Sequence, residues 1–366
     1  MNEFYLDKAP KDTKVVVAMS GGVDSSTVAA WLHQRGYQVI GITLQLYDLG
    51  VTLEKKGACC AGQDIYDAKN VADKFGFPHY VLNYESLFKE SVMEEFADSY
   101  LRGETPIPCV RCNQSVKFRD LLKVAKDLGA DALATGHYVR RINDEHGQAQ
   151  LLRAIDPAKD QSYFLFATTK EQLEYLHFPL GNMTKSETRQ LAQELGLTIA
   201  DKPDSQDICF VPNGSYASVI EKLRPGALDS GDIVHTDGRV LGRHQGIINY
   251  TIGQRRGLGI ASEQPLYVIK LNAEKKQVIV GSESELASQR FRIKEMNWLA
   301  DRIPEGGLEV DVKLRSGHSG ASAIIYPAID GFAEVVLTEA GRAITPGQAC
   351  VIYDRDRVLG GGWITA

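Results

Sequence analysis

KVVVAMSGGVDSS, at residues 14–26, decides the fold of this chain. Its apolar part, residues 15–18, is typical of a buried parallel strand. Ser20, Gly21 and Gly22 follow as a tight turn, and Asp24 opens a helical pattern that ends at Gly36. Such a unit directs backbone N–H groups and the positive end of a helix dipole at one point. The stretch therefore predicts a strand–turn–helix unit with an anion site at its turn.

The glycine spacing separates this loop from two common nucleotide-binding motifs. The loop lacks the lysine of a Walker-type loop and the glycine spacing of a Rossmann fingerprint. It resembles the pyrophosphate-grasping loop, Ser-Gly-Gly-x-Asp-Ser, of the ATP pyrophosphatase superfamily. That resemblance implies an enzyme that splits ATP between the α and β phosphates and uses AMP to activate a carbonyl oxygen. A glycine-rich turn that binds nothing is the alternative interpretation.

The composition of the 366 residues is that of a globular protein, with 43% hydrophobic and 24% charged residues. No apolar run approaches the ~20 residues that span a bilayer, and residues 1–12 have no signal-peptide or transit-peptide pattern. We therefore expect a cytoplasmic protein whose six cysteines are reduced thiols. The net charge of −6 gives no support for a nucleic-acid partner, so such a contact would need local basic clusters.

Strand and helix patterns alternate through the first half of the chain. Strands are predicted at residues 38–44, 80–82 and 131–135, and helices at residues 85–102 and 113–128. This order predicts a doubly wound parallel α/β sheet, in which ligands bind at the carboxyl ends of the strands. The Ser20–Ser26 loop, the segment after Leu44 and the sequence Gly136-His137-Tyr138 all follow such ends. We expect them to converge.

After about residue 205, short β runs separated by turn signals replace the helical periodicity. Examples are residues 266–271, 277–280 and 308–314. The last part predicts an all-β module that closes as a barrel. We therefore predict three domains: an ATP-binding catalytic domain at 1–210, a mostly-β central domain at 211–284, and a C-terminal β-barrel at 285–366.

Two cysteines have the surroundings of reactive thiols. Cys112 lies just before a helix predicted to begin near Asn113, with Arg111 beside it. A helix N-terminus and a neighbouring cation lower the pKa of a thiol, so we expect a nucleophilic thiolate there. Cys209 lies near the point where the alternating strand and helix patterns give way to short β runs. The alternative is that both are buried cysteines without a role. A structural zinc site has weak support, because the chain has one CxxC pair.

Nine short motifs together resemble one family, the tRNA-uridine 2-sulfurtransferases, also called tRNA-specific 2-thiouridylases. Their joint occurrence in one order covers nearly the whole chain. They are residues 18–25 (AMSGGVDS), 105–106 (TP), 112–113 (CN), 117–118 (KF), 134–138 (ATGHY), 159–164 (KDQSYF), 204–210 (DSQDICF), 253–259 (GQRRGLG) and 345–348 (TPGQ).

The resemblance implies a fold like that of the adenine nucleotide alpha hydrolases and a two-step reaction. ATP, with Mg²⁺, adenylates O2 of the wobble uridine of tRNA, and a persulfide then delivers sulfur to C2 as AMP leaves. Cys112 would be the nucleophile and Cys209 the persulfide carrier, and the two would form a disulfide or release hydrosulfide. The implied ATP contacts are Ala18, Met19, Ser20, Gly21, Gly22, Val23, Asp24, Ser25, Leu44 and Gly136.

The same resemblance implies contacts with the anticodon stem-loop of tRNA. The contacts carried over are Ile107, Pro108, Cys109, His137, Lys159, Asp160, Gln161, Arg315, Ser316 and Gln348. A persulfide-donor protein of the cysteine desulfurase or sulfur-relay type is the implied partner, and we expect a monomer.

One segment departs from the family pattern. The best-known family members carry Asn-Pro-Asp where this chain has Ile107-Pro108-Cys109, so the role of that Asp in proton transfer or base binding cannot be carried over. The site instead gains a third thiol. Cys109, Cys112 and Cys209 are enough to hold a [4Fe–4S] cluster with one iron open to bind hydrosulfide. Cys59 and Cys60 would join such a site or be incidental.

Two other functions remain open from the sequence. An amide-forming ligase of the same superfamily would adenylate a carboxylate and would survive Cys→Ser changes at 112 and 209. A non-catalytic RNA-binding or metal-binding protein would show no tRNA-dependent pyrophosphate release.

Overall fold

The computed structural model describes residues 4–47, 60–204, 208–211 and 215–365. It forms two compact units. The first contains the chain up to residue 91, residues 109–210 and residues 356–358, and the second contains residues 92–108, 211–355 and the chain from residue 359. The three-domain boundaries at 210 and 284 stay a prediction. Cys59, one of the two cysteines with an open role, lies outside the described residues.

The first unit contains the predicted parallel sheet and an antiparallel hairpin. Its strands are β1 (Lys14–Ala18), β2 (Gln38–Gln45), β3 (His79–Asn83), β4 (Ala132–Thr135), β5 (Val139–Asn143), β6 (Ala149–Arg153) and β7 (Leu176–His177). The sheet order is β3-β2-β1-β4-β7, and each neighbouring pair is parallel. Strands β5 and β6 form an antiparallel hairpin. The predicted α/β class is confirmed.

Helices cover the sheet and continue into the second unit. They are α1 (Val23–Gln34), α2 (Cys60–Phe75), α3 (Glu85–Phe88), α4 (Glu95–Leu101), α5 (Pro108–Arg111), α6 (Asp120–Asp127), α7 (Ser162–Leu165), α8 (Lys170–Tyr175), α9 (Lys185–Glu194) and α10 (Tyr216–Leu223). Wider π-helical turns occupy Lys89–Glu94 and Cys112–Lys117. Among the described residues, none of the helices has the length and apolar character needed to cross a membrane.

The predicted helix start near Asn113 is wrong. The chain becomes helical at Pro108, and Cys112 opens a π-helical segment that follows α5 directly. Proline at the first position of a helix explains the earlier start, because its fixed φ is already helical and its missing N–H would have had no partner there. Cys109, and not Cys112, therefore lies in the first helical turn.

The central strand of the first unit is fully enclosed. Val15, Val16 and Val17 have no exposed surface, and Val28 and Leu32 of α1 are buried in the same unit. Burying a side chain of this size contributes ~1.5–3 kcal/mol. The core thus fixes both β1 and α1, and with them the loop that joins these two elements.

The second unit contains a mixed four-stranded sheet. Its strands are β8 (Ser230–His235), β9 (Val240–Gln245), β10 (Tyr267–Asn272) and β11 (Gln277–Gly281), in the order β10-β11-β8-β9. The pair β11–β8 is parallel and the other two pairs are antiparallel. Beside it, α4 packs on α10, where the rings of Tyr100 and Tyr216 stack at 6.3 Å. The predicted mostly-β central part is confirmed.

A closed six-stranded barrel follows in the same unit. Its strands are β12 (Ala287–Trp298), β13 (Leu308–Lys313), β14 (Ala321–Ile329), β15 (Phe332–Arg342), β16 (Ala349–Asp354) and β17 (Arg357–Ile364). The order is β12-β15-β14-β13-β16-β17, and pairing between β12 and β17 closes it. Buried side chains such as Ile293, Val312 and Val335 fill the interior. The predicted C-terminal barrel is confirmed.

Candidate active site

The loop between β1 and α1 is held by its own backbone and by both neighbouring strands. Ala18 pairs with Ile42 on one side and with Thr135 on the other. The N–H of Ser20 donates to Oγ of Ser25 at 3.0 Å. Gly21 has a φ of 73°, the left-handed region that glycine adopts without strain. The predicted anion site is thus preshaped, since the turn lies at the N-terminus of α1.

The other two predicted ATP contacts lie close to this loop. Gly136 follows β4 directly, and a Cβ placed on it would lie 2.7 Å from the backbone N of Ser25. Leu44 lies near the end of β2, two residues beyond the partner of Ala18. The structure therefore brings together the three segments that follow predicted strand ends, and only glycine fits at position 136.

Lys185, which the sequence analysis missed, lies at the centre of an ion-pair network behind the loop. Its ammonium donates to the two carboxylate oxygens of Asp24 at 2.7 and 2.8 Å, and lies 2.8 Å from Asp204. The hydroxyl of Tyr138 also donates to Asp24, at 2.9 Å. Lys185 is only 12% exposed in its side chain. A largely buried cation therefore lies beside the predicted anion site.

Asp204 joins further cations to the same network. Partial burial acts to raise the pKa of Asp204, but hydrogen bonds from Lys159 and Lys185 outweigh it and lower the pKa to about 2. Arg189 donates to the same carboxylate at 3.1 Å. Asp204 therefore stays ionised at neutral pH and holds these cations in place.

Lys202 is a second lysine that the sequence analysis did not select. It donates to the carbonyl of Gly21 at 3.0 Å, to Asp64 at 2.7 Å and to Asp67 at 2.6 Å. Desolvation acts to lower the pKa of Lys202, but the two carboxylates raise it overall. Because the acidic partners lie on α2, this charged lysine ties the loop to that helix. No motif available to a single sequence marks either lysine, since each is placed by the fold.

The expectation of a lowered pKa at Cys112 is wrong. Cys112 is buried, and this desolvation raises the pKa of its thiol; Lys117 opposes the rise and Cys109 adds to it. The N-terminal end of the helix lies at Pro108, so Cys112 does not receive the dipole stabilisation that the sequence implied. In this structure the thiol is therefore protonated at neutral pH.

Cys209 interacts electrostatically with both other thiols. It is exposed as a residue, yet the protein around its sulfur desolvates it and raises its pKa to about 12. Cys112 and Cys109 raise this pKa further, whereas Lys117 and a hydrogen bond with Tyr47 lower it. Thiols far apart in the sequence are thus near enough to affect one another's ionisation. Their action in one site stays a prediction.

These three thiols have the donor chemistry of an iron–sulfur site but not its arrangement. Within the described ranges, no group of three or more His, Cys, Asp or Glu side chains is arranged to hold a metal ion. Cys109 is exposed and Cys112 is buried. The cluster on Cys109, Cys112 and Cys209 therefore stays a hypothesis, and so does the open role of Cys60.

His137 lies in an apolar setting. Its ring packs edge-on with Phe118 at 6.0 Å and with Phe178 at 6.5 Å, and its Nδ1 is 2.9 Å from the hydroxyl of Thr135. Desolvation, helped by Lys117, lowers its pKa to about 3. His137 is therefore neutral at physiological pH, and its predicted contact with a flipped base would be by stacking or by a neutral hydrogen bond.

The predicted tRNA contacts at residues 159–161 are engaged within the first unit. Lys159 forms an ion pair with Asp204 at 2.7 Å. Asp160, with a side chain only 5% exposed, accepts from the hydroxyl of Ser162. Gln161 accepts from the N–H of Tyr138 at 2.8 Å. Asp160 and Gln161 thus order the segment beside the loop, and their contact with tRNA stays a prediction.

The remaining predicted tRNA contacts lie in the second unit, apart from Cys109. Ile107 and Pro108 are buried, whereas Arg315 and Ser316 are exposed between β13 and β14. The side-chain amide of Gln348 donates to the carbonyl of Thr105 at 2.9 Å. Gln348 therefore fixes the segment that leads to Cys109, whatever its role towards tRNA.

Three family models match consecutive parts of the chain. They are described as the tRNA methyl transferase HUP domain at residues 13–213, the tRNA methyl transferase PRC-barrel domain at residues 218–282, and the aminomethyltransferase beta-barrel domain at residues 288–364. The first alone spans more than half of the chain.

Curated relatives match over nearly the full length. The tRNA-specific 2-thiouridylase MnmA of Rickettsia massiliae is 64% identical, with 98% of this chain and 99% of the relative covered. The tRNA-specific 2-thiouridylase MnmA of Rhodospirillum centenum is 61% identical, with 100% and 94% covered. Among solved structures, a 4-thiouridine synthetase–RNA complex with bound ATP matches at 22% identity with a TM-score of 0.37, covering 58% of this chain and 49% of that one. A similarity at that level supports no functional argument.

Proposed function

The chain belongs to the tRNA-specific 2-thiouridylase family, and we propose that it replaces O2 of the wobble uridine of tRNA by sulfur in an ATP-dependent reaction. The observation that supports the detailed mechanism is the electrostatic effect of Cys112 and Cys109 on the Cys209 thiol, in the unit that holds the β1–α1 loop. An ATP-splitting loop supplies activation, and thiols supply the incoming sulfur.

The first step is adenylation of the uridine. The phosphates of ATP bind at the N-terminus of α1, where the N–H groups of residues 20–25 carry the positive end of the helix dipole. Ala18, Leu44 and Gly136 flank this point. Mg²⁺ accompanies the nucleotide as its usual counter-ion. O2 of uridine attacks the α-phosphate, pyrophosphate leaves, and C2 acquires AMP as a good leaving group.

Lys185 neutralises negative charge as this step proceeds. In the structure its ammonium is shared by Asp24 and Asp204. An ammonium already oriented by two carboxylates needs little reorganisation to meet a phosphate oxygen, which is the property of an electrostatic catalyst. Lys202 supports the same loop from the other side, through the carbonyl of Gly21.

The second step is sulfur transfer. The terminal sulfur of a persulfide on Cys209 bonds to C2, and the bond between C2 and the adenylated oxygen breaks, so that AMP leaves with O2. The Cys112 thiolate then attacks the Cys209 sulfur and breaks the S–S bond. The electron pair of that bond remains on the transferred sulfur, which becomes the thiocarbonyl of 2-thiouridine. A Cys112–Cys209 disulfide results, and a thiol reductant regenerates both cysteines.

Lys117 favours the thiolates that this step requires. It acts to lower the pKa of both Cys112 and Cys209, against the stronger effect of burial. Tyr47 adds a hydrogen bond to Cys209. The raised pKa values keep both thiols protonated before the reaction. Each thiol therefore loses its proton only as the reaction proceeds.

Delivery of sulfur through a [4Fe–4S] cluster is the variant of this mechanism. The presence of Cys109 favours it, because three thiolates are the ligands of a cluster with one open iron. The thiols are not arranged to hold a metal in the described structure, so no step is assigned to a cluster here. The sulfur source in the main proposal is a persulfide-donor protein acting on a cytoplasmic monomer.

Anaerobic purification, followed by an absorption spectrum and a thiolation assay, tests the proposal. We expect 2-thiouridine in tRNA from ATP, Mg²⁺ and a persulfide donor, measured by mass spectrometry of the nucleosides. A colourless protein with that activity excludes the cluster variant. Formation of an amide product that survives replacement of both Cys112 and Cys209 by serine would replace the proposal with the ligase function.

A further inference from the structure

The loop at residues 253–266, between β9 and β10, carries two adjacent arginines that the thiolation mechanism does not use. We propose that Arg255 and Arg256 form a phosphate-binding site for the sugar–phosphate backbone of the tRNA substrate. The inference rests on the proposed function, because it takes tRNA as the ligand. It adds a contact from the central part of the chain, where residues 253–259 belong to the motifs that carry the resemblance but none of them is among the implied tRNA contacts.

The base of this loop is rigid. The N–H of Gly253 donates to the carbonyl of Val268 at 2.8 Å, and the N–H of Val268 donates back to Gln254 at 2.9 Å. The side chain of Gln254 also accepts from Thr251 and donates to the carbonyl of Arg256. Leu258 is buried and anchors the middle of the loop. The arginines are therefore presented by a fixed backbone, which lowers the entropy cost of binding.

The two guanidinium groups are available to a ligand. Both residues are exposed, and neither side chain forms a hydrogen bond or ion pair with any residue of the described ranges. By contrast, Arg239 and Lys276 of the same sheet are held by Asp237 and Asp229. An arginine without an internal acidic partner retains its full capacity for bidentate phosphate contacts.

The loop also borders an open depression. A cavity of about 600 Å³ is lined by Arg255 and residues 257–266. This volume lies within the range of small-molecule sites, which is ~300–1,000 Å³. Arg255 lies on the wall of this depression, and Glu263 is the acidic side chain among its lining residues.

The position of the loop links it to the implied tRNA contacts of the second unit. A Cβ on Gly253 would lie 2.9 Å from Cβ of Ala343. The carbonyl of Ala343 accepts from the hydroxyl of Thr345, which begins the TPGQ turn that ends at Gln348. The side chain of Gln348 in turn holds Thr105. The arginine loop therefore adjoins the turn on which the resemblance places a tRNA contact.

The salt dependence of tRNA binding tests this site. The variant Arg255→Ala/Arg256→Ala should weaken binding by about tenfold at moderate salt and reduce the slope of log K against log salt by about 2. The matched control is Lys275→Ala/Lys276→Ala, which removes two adjacent exposed cations from the opposite end of β10. This control should retain the wild-type slope. Arg255→Lys/Arg256→Lys, with unchanged thermal unfolding, should restore most of the slope.

Equal slopes for the wild type and the Arg255→Ala/Arg256→Ala variant would overturn the inference and leave the thiolation proposal intact. Equal losses in the variant and the lysine control would also overturn it, since only general charge would then matter. If tRNA binding is unchanged but sulfur delivery from a donor protein slows, the loop is a protein-docking site and the RNA proposal is wrong. A wild-type chain that binds no tRNA would contradict the proposed function as well.

Discussion

Lys117 acts electrostatically on three groups of the site at once. It lowers the pKa of His137 and opposes the rise of the pKa of both Cys112 and Cys209. Removing its charge should therefore raise all three pKa values. Lys117 ends the π-helical segment that Cys112 begins, and it is the cation that opposes the effect of burial on both thiols.

We expect Lys117→Met to slow alkylation of Cys112 and Cys209 by iodoacetamide at pH 8, because a smaller fraction of each thiol is ionised. The pH dependence of the alkylation rates, read by mass spectrometry for each cysteine, measures the shift. The control is Lys123→Met, an exposed lysine of α6. Rates in Lys117→Met that match the wild type across the pH range would contradict this view of the site.

Replacing Lys185 tests its role in nucleotide binding. Lys185→Met removes the cation shared by Asp24 and Asp204 and leaves like charges facing the phosphates of ATP. We expect nucleotide affinity to fall by at least about tenfold, equivalent to about 1.4 kcal/mol, in a calorimetric titration. Lys126→Met, which breaks an exposed pair with Glu171, serves as the control. Unchanged affinity in Lys185→Met would remove Lys185 from the site.

Individual residues were predictable where a local motif carries the chemistry. The loop at residues 18–25 and the pair Cys112 and Cys209 could be proposed from the sequence because each lies in a short pattern, and their roles stay predictions. Lys185 and Lys202 could not, because their partners Asp24 and Gly21 are more than 150 residues away and meet them only in the fold. The raised pKa of Cys112 was also not predictable, because it depends on burial.

At the scale of elements, the contact between the end of β4 and the start of α1 shapes the nucleotide site. Gly136 leaves no room for a side chain, since a Cβ would lie 2.7 Å from N of Ser25 and 2.9 Å from the carbonyl carbon of Asp24. The two elements can approach this closely only because position 136 has no Cβ.

Gly136→Ala should therefore separate β4 from α1 and distort the loop. We expect a loss of ~1–3 kcal/mol in unfolding free energy, typical of overpacking, together with weaker ATP binding. Urea unfolding and nucleotide titration measure the two effects. Gly306→Ala, at a glycine with open space around its Cα, is the control and should change neither. A Gly136→Ala protein that binds ATP normally would show that the close approach is not required.

The strands β1 to β4 were predictable because apolar runs and turn residues mark them directly. The strands β5 to β7 were not predicted. The start of the helix around the cysteines was predicted near Asn113, five residues late, because proline both breaks helices and begins them, and here Pro108 begins one. Residues 92–108 were also assigned to the first domain, although they lie in the second unit. There α4 is held by the ion pair between Asp98 and Arg224, a tertiary contact that periodicity cannot reveal.

At the scale of the whole molecule, two desolvated histidines, the buried His177 and the half-buried His137, make stability depend on pH. Desolvation lowers the pKa of His137 and of His177 to about 3 in the folded chain, against an ordinary value of 6.5 when unfolded. Between pH 3 and pH 6.5 the unfolded chain therefore binds more protons than the folded chain. The contribution of these two neutral histidines to the free energy of unfolding is complete above pH 6.5 and is lost as the pH decreases towards 3.

We expect a lower urea midpoint at pH 5 than at pH 7.5, with part of the loss removed in His177→Phe, which keeps a ring against Phe4. The exposed His146 provides the control, since His146→Gln should leave the pH dependence unchanged. Equal urea midpoints at the two pH values would contradict the lowered pKa values of these two histidines.

In the proposed mechanism the enzyme performs two separable steps, adenylation at the β1–α1 loop and sulfur transfer at the thiols. Measuring tRNA-dependent pyrophosphate release and 2-thiouridine formation side by side in Cys209→Ser separates them. We expect pyrophosphate release at close to the wild-type rate with no 2-thiouridine formed. Formation of 2-thiouridine at the wild-type level by Cys209→Ser would contradict this mechanism.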